Sequence, residues 1–133
     1  MTYPNQPRLG CGAAILRDGQ ILLIQRRRPP EAGCWGLPGG KVDWLEPVTA
    51  AVTREIAEEL GLVLGPLALL CVVDQIDPAG GEHWVAPVYR ADNWDGEPRL
   101  VEPDKHAAFG WFGLDALPEP LTVATRAAVA ALA

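Results

Sequence analysis

The apolar positions of this chain fall into short strand-like runs interrupted by two stretches of helical period. Residues 9–16 and 21–25 are apolar and partly β-branched, and between them Arg17-Asp18-Gly19-Gln20 contains the Asp-Gly pair that favours a tight hairpin turn. This predicts two antiparallel strands. A second pair, 67–76 and 83–89, flanks Asp77-Pro78-Ala79-Gly80-Gly81, and a further short strand is expected at 107–112. Between the pairs, residues 47–60 predict a helix. Pro47 suits a first turn, good helix formers fill the interior, and Gly61 suits a left-handed C-cap. Val52, Ile56 and Leu60 recur at i, i+4 and i+8, so the helix carries one apolar stripe to lay on a sheet. An alanine-rich helix is expected over 122–132. Strands, helix, strands and helix in that order predict helices packed on a mixed or antiparallel sheet, and not a series of parallel crossovers.

Composition narrows the class. A length of 133 residues predicts one domain, 1–133, and the 13 prolines and 14 glycines predict many turns within it. Cys11, Cys34 and Cys71 are odd in number and lack a CxxC or a nearby histidine pair, which points to reduced thiols and not to a disulfide framework or zinc site. The first residues, MTYPNQPRLG, show no basic segment followed by an apolar run, and no stretch approaches the ~20 apolar residues of a membrane span. A cytoplasmic protein without a membrane partner is expected. The net charge of −6 weighs against a nucleic-acid polymer as partner, because polymer binding draws on Lys and Arg neutralising phosphates. A small phosphorylated ligand needs only one local positive site, and a cation held by carboxylates supplies that in an acidic protein.

The helix at 47–60 carries such carboxylates. Glu55, Glu58 and Glu59 lie at i, i+3 and i+4, neighbours on one helical face, where like charges destabilise the helix. A plain solvated acidic face would be laced with basic partners. Arg54 reaches Glu58 at i+4, but the residues four positions after Glu55, Glu58 and Glu59 are Glu59, Leu62 and Val63. A hard divalent cation would offset the repulsion, since Mg²⁺ prefers oxygen ligands and commonly joins carboxylates to substrate phosphates.

These residues extend into a longer pattern: Gly40-Lys41-Val42-Asp43-Trp44-Leu45-Glu46, seven residues, then Arg54-Glu55-Ile56-Ala57-Glu58-Glu59-Leu60-Gly61-Leu62. The segment resembles the Nudix box, GX5EX7REUXEEXGU, throughout. At ordinary residue frequencies, seven identities at set spacing arise by chance on the order of once per 10⁹ positions. The resemblance implies an α/β (α+β) fold, a Nudix-type α/β/α sandwich whose mixed central sheet carries the loop and helix of the box on one side and a C-terminal helix. It implies a Mg²⁺-dependent (or Mn²⁺-dependent) pyrophosphohydrolase in which Glu55 and Glu59 are the principal metal ligands and Glu58 is a further ligand or a base acting through water. Glu46 and Arg54 resemble the family's structural ion pair, and Gly40 would offer its backbone carbonyl to the metal. Where many members carry GGxxExGE, this chain has Asp43 and Trp44. Trp44 either narrows the site or packs against its own loop.

Substrate-facing candidates lie outside the box. Arg26, Arg27 and Arg28 follow the second strand, and alternation gives Arg26 and Arg28 one side. Either one bonds phosphate or sits on a solvated strand end. The segment from Leu100 to His106, with Gly110-Trp111-Phe112 after it, resembles the tail of MutT-like nucleoside triphosphate pyrophosphatases. That likeness makes Glu102 a candidate metal-contacting acid and Lys105 a candidate neighbour of substrate charge. His106 has no partner pattern and reads as structural or exposed. Trp35 could stack on a base, whereas Trp111 reads as core. The expected activity is hydrolysis of a nucleoside triphosphate, ordinary or oxidised, to monophosphate and pyrophosphate, by a monomer or homodimer. Two alternatives stand beside it: a pyrophosphatase for ADP-ribose or another nucleoside diphosphate-sugar, and a non-catalytic nucleotide-binding regulatory module.

Overall fold

The computed structural model describes residues 5–133. The chain runs β1 (Arg8–Arg17), β2 (Gln20–Arg26), β3 (Trp35–Gly36), β4 (Gly39–Lys41), α1 (Val48–Leu60), β5 (Val63–Leu64), β6 (Leu67–Asp77), β7 (Glu82–Ala91), β8 (Trp94–Asp95), β9 (His106–Gly113) and α2 (Val123–Leu132). The first hairpin forms at the Asp-Gly turn, where Asp18 and Gly19 both adopt positive φ, 52° and 78°. β1 and β2 pair only near that turn, Leu16 with Ile21 and Arg17 with Gln20, and then diverge. β1 goes on to pair with β7 in parallel and with β4 antiparallel, while β2 pairs with β9 and β3. With β6 antiparallel to β7, the sheet is mixed, the one of the two arrangements left open by the sequence pattern that the resemblance implies.

Continuous apolar runs in β1 and β2 reflect burial on both faces. Ala13, Ile15, Leu22 and Ile24 face the stripe of α1, where Val52, Ile56 and Leu60 are fully buried. Their alternate neighbours Ala14, Ile21 and Leu23 face the opposite side, where Ala128 of α2 and Val88 pack. The result is an α/β/α sandwich with two cores separated by one sheet.

Both helices begin one residue later than the sequence predicts. Pro47 occupies the N-cap of α1, and Gly61 closes it at φ 71°. Thr122 caps α2, its hydroxyl accepting from the Thr125 amide. Trp111 stacks on Trp94 with centroids 5.5 Å apart and packs against the α1-side core. Trp35 meets Phe112 edge-on against the other core. Among the described residues, no helix is long and apolar enough to cross a membrane.

Candidate active site

Pairing with β1 fixes the loop that precedes α1. Gly39 and Gly40 lie in β4 opposite Gly12 and Cys11, so the backbone here is held by sheet hydrogen bonds and not by loop packing alone. Two glycines are required by close approach. Gly39 has φ 155°, and a Cβ there would strike the Cys11 carbonyl; a Cβ on Gly40 would overlap the Glu55 carboxylate. The β4 backbone is thereby pressed directly against the acidic face of α1.

One guanidinium ties the loop to the helix. Arg54 donates to Glu46 through Nε and Nη2 at 2.8 and 3.0 Å, and Nη2 also reaches the Lys41 carbonyl at 3.0 Å. Its Nη1 donates to Glu55 Oε1 at 2.9 Å and Glu58 Oε2 at 3.2 Å. Hydrogen bonding to Arg54, with help from the Asp43 amide, pulls the Glu46 carboxyl down to about 2. The ion pair expected from the box is thus bidentate in the fold, the geometry at which arginine excels.

Glu59, the last acid of the helix, is held differently. It is only 5% exposed; Oε1 accepts from the Gly39 amide at 2.8 Å, and Oε2 lies 3.1 Å from His106 Nε2. Burial raises its pKa, and the bonds from His106 and Gly39 work in the other direction. Glu55 is raised as well, by burial first, with Arg54 opposing and the charges of Glu59 and Glu58 adding to the rise.

A cavity of about 250 Å³ brings most of the sequence candidates together. Glu55, Glu59 and Glu102 give it three carboxylates and Gly40 gives it backbone, while Arg26, Arg28 and Lys105 give it positive charge. Arg28 pairs with Asp104 at 3.0 Å and Lys105 with Glu102 at 3.1 Å, which raises the Lys105 pKa. Arg27 turns elsewhere, to the Pro103 carbonyl, in keeping with alternation. Glu58 does not line this cavity; its side chain is 50% exposed and belongs to the Arg54 network. Trp44, 89% exposed, neither narrows the cavity nor packs on its loop.

His106 is the residue that sequence reasoning missed. It is 8% exposed, lines the cavity, and the exposed alternative is thereby excluded. Its position comes from a bulge: Gln25 pairs with Ala108 and Arg26 with His106, leaving Ala107 unpaired. A second cavity of about 280 Å³ adjoins the first through Arg26, Gly39, Gly40 and Lys41, and Leu37, Trp84 and Ala86 form part of its wall.

The donor set suits a hard divalent cation: carboxylate oxygens beside a glycine backbone that admits no side chain. Among the described residues, no three Asp, Glu, His or Cys side chains are already gathered around one point. Arg54 and the Gly39–His106 pair each draw one carboxylate to themselves.

Comparison with known proteins agrees with this architecture. A model of the NUDIX domain matches residues 6–132. The crystal structure of a MutT NUDIX hydrolase from Burkholderia pseudomallei superposes with a TM-score of 0.95 at 70% identity, over 96% of this chain and 99% of that one. An ADP-ribose pyrophosphatase of Methanocaldococcus jannaschii is 38% identical over 113 residues, 85% of this chain and 66% of that protein. A Mycobacterium tuberculosis protein provisionally named 8-oxo-dGTP diphosphatase 2 is 45% identical over 101 residues, 74% of this chain and 67% of that protein. The chain spans about two thirds of the length of these two relatives. It belongs to the Nudix hydrolase family.

Proposed function

We propose that this protein, as one Nudix domain over 1–133, is a Mg²⁺- or Mn²⁺-dependent pyrophosphohydrolase that converts a nucleoside triphosphate to monophosphate and pyrophosphate. The observation that carries the reading is the single cavity in which Glu55, Glu59 and Glu102 face Arg26, Arg28 and Lys105. Carboxylates alone would repel a polyphosphate, and basic groups alone would bind it without activating water. Together they provide places for a cation and for the charge it bridges.

Glu55, Glu59, Glu102 and the Gly40 carbonyl would hold the cation. When bound, it supplies charge neutralisation at phosphate oxygens and makes a coordinated water more acidic. Arg26 and Arg28 bind phosphate oxygens, and Lys105 neutralises charge at the rim. The water oxygen bonds to phosphorus, its proton passes to a carboxylate of the Glu55, Glu58 and Glu59 set, and the bridging P–O bond breaks with its electron pair leaving on the departing phosphate. The adjoining cavity, walled by Leu37, Trp84 and Ala86, takes the nucleoside.

The second reading, ADP-ribose as substrate, draws on the named activity of the Methanocaldococcus jannaschii relative. Initial hydrolysis rates with Mg²⁺ over ordinary and oxidised nucleoside triphosphates and ADP-ribose, with Glu59→Gln as blank, separate the two. Pyrophosphate release from a preferred triphosphate supports the first, and an ADP-ribose preference moves the assignment to the second. The absence of any Glu59-dependent turnover would leave the non-catalytic regulatory module.

A further inference from the structure

We infer that His106 is a positioning residue that sets the carboxylate of Glu59 for cation binding; the inference rests on the metal-dependent reading above. A carboxylate has about four lone-pair sites over its two oxygens. In Glu59 one site on each oxygen is taken, Oε1 by the Gly39 amide at 2.8 Å and Oε2 by His106 Nε2 at 3.1 Å. Two donors on two oxygens fix the plane of the group, and the sites left over belong to a side chain that lines the cavity.

The rest of His106 shows that this contact is its purpose. Its Nδ1 is buried and has no hydrogen-bond partner, so the ring makes no second polar link that would knit the core. Burying an imidazole with one nitrogen unpaired is unfavourable, and the contact with Glu59 is what offsets that cost. The backbone is arranged around the same contact. The Ala107 bulge sets His106 opposite Arg26, and the His106 amide donates to the Glu102 carbonyl at 3.1 Å, closing the turn that carries Glu102 and Lys105. The Val101 amide donates to the carbonyl of Glu59 itself. Glu59 and the 101–106 segment are therefore linked at both backbone and side chain. Groups that hold a metal-binding carboxylate in this way tune affinity without touching the ion.

The test is Mn²⁺ binding to the nucleotide-free protein, followed by electron paramagnetic resonance, beside thermal unfolding without metal. His106→Gln places an amide nitrogen near the Nε2 position and is expected to bind Mn²⁺ within about threefold of wild type. His106→Asn, too short to reach Glu59, and His106→Leu, which removes the unpaired nitrogen, are expected to bind roughly 10- to 100-fold more weakly. His106→Leu also takes a donor from the buried Glu59 carboxylate, so the control is metal-free thermal unfolding: a cooperative transition well above the assay temperature shows that its weaker binding does not come from a damaged fold. In turnover, kcat at fixed Mg²⁺ should fall in the Leu and Asn variants while KM for nucleotide holds. Wild-type Mn²⁺ affinity in His106→Leu, or a His106→Gln variant as weak as His106→Leu, overturns the role of His106 and leaves the metal reading intact. Wild-type protein that binds no Mn²⁺, or Glu59→Gln that binds it as wild type does, overturns both.

Discussion

Glu55 and Glu59 sit one turn apart on the same helix and line the same cavity, yet they are stabilised by opposite means. Glu55 leans on a permanent cation: Arg54 Nη1 at 2.9 Å, part of a guanidinium that also serves Glu46 and Glu58. Glu59 leans on an amide and an imidazole, in a site where burial raises its pKa. Burial raises the Glu55 pKa as well, and Arg54 opposes that rise with a permanent charge that Glu59 does not have. A carboxylate buried among such donors is favourable mainly when a cation completes its surroundings. The helix therefore joins an acid shared with the Arg54 network of the loop to one that has no permanent cation beside it, and the need for a bound cation should be greater at the latter.

The most severe way to break the contrast is to neutralise each acid. Glu55→Gln and Glu59→Gln are expected to lose at least about 10²-fold in kcat, the scale on which single electrostatic or proton-transfer groups act. Both should fold, as shown by wild-type circular dichroism. They should part in stability: Glu59→Gln removes a buried charge and should be no less stable without metal, whereas Glu55→Gln weakens its link to Arg54. Near wild-type turnover in either variant ends its assignment to the metal.

Arg54→Lys attacks the other side. Lysine keeps the charge but cannot make the paired bonds to Glu46 while also reaching Glu55 and the Lys41 carbonyl. With hydrogen bonds to charged groups worth about 1.5–3 kcal/mol each, a loss on the order of 2 kcal/mol in denaturant unfolding is expected. An unchanged midpoint would mean that the loop is held by its β4 pairing alone.

How much of this contrast was legible beforehand depends on what spacing encodes. The i, i+3, i+4 spacing of Glu55, Glu58 and Glu59 shows that they are neighbours, and the Glu46–Arg54 pair follows from the resemblance to the box. The hairpin at Asp18-Gly19, the Val52–Ile56–Leu60 stripe and the cap at Gly61 are local signals, and the fold realises them. Helical spacing does not say which neighbour turns toward a cavity formed by other elements, so it was the resemblance to the box that set Glu58 apart from Glu59. β4 is three residues with no side-chain alternation to read. His106 was illegible because its role depends on one unpaired residue, Ala107, in a strand pairing 80 residues from Arg26 in sequence, and bulges leave no regular pattern.

The acid limb of the pH profile sharpens the comparison further. Glu46 has its pKa lowered from 4.5 to about 2 by Arg54, so its contribution to stability is fully present above about pH 4.5 and is lost as pH falls through about 2. Glu46→Gln never has that contribution. The stability gap between wild type and Glu46→Gln should therefore be widest near pH 5 and should narrow steadily toward about pH 2, measured by denaturant unfolding at several pH values. A gap independent of pH would show that the charge of Glu46 is not what the pair contributes.

The smallest expected effect is at Glu58, and it decides to which side of the contrast that residue belongs. Its carboxylate is half exposed, outside the cavity lining, and 3.2 Å from Arg54 at i+4. Exposed pairs of this kind contribute about 0–1 kcal/mol, so Glu58→Gln should unfold close to wild type. If Glu58 acts through Arg54, kcat should fall no more than about tenfold, well short of the loss in Glu59→Gln. A general base contributes roughly 10²–10⁴-fold, so a loss of that size would show that Glu58 swings from Arg54 into the cavity when nucleotide and metal arrive. Arg54 would then be a latch, releasing one acid while retaining Glu46. Running Glu58→Gln and Arg54→Lys as a double-mutant cycle separates the cases: additive losses in kcat place Glu58 in the chemistry independently of Arg54, and a double variant no worse than Arg54→Lys places it wholly in the loop network.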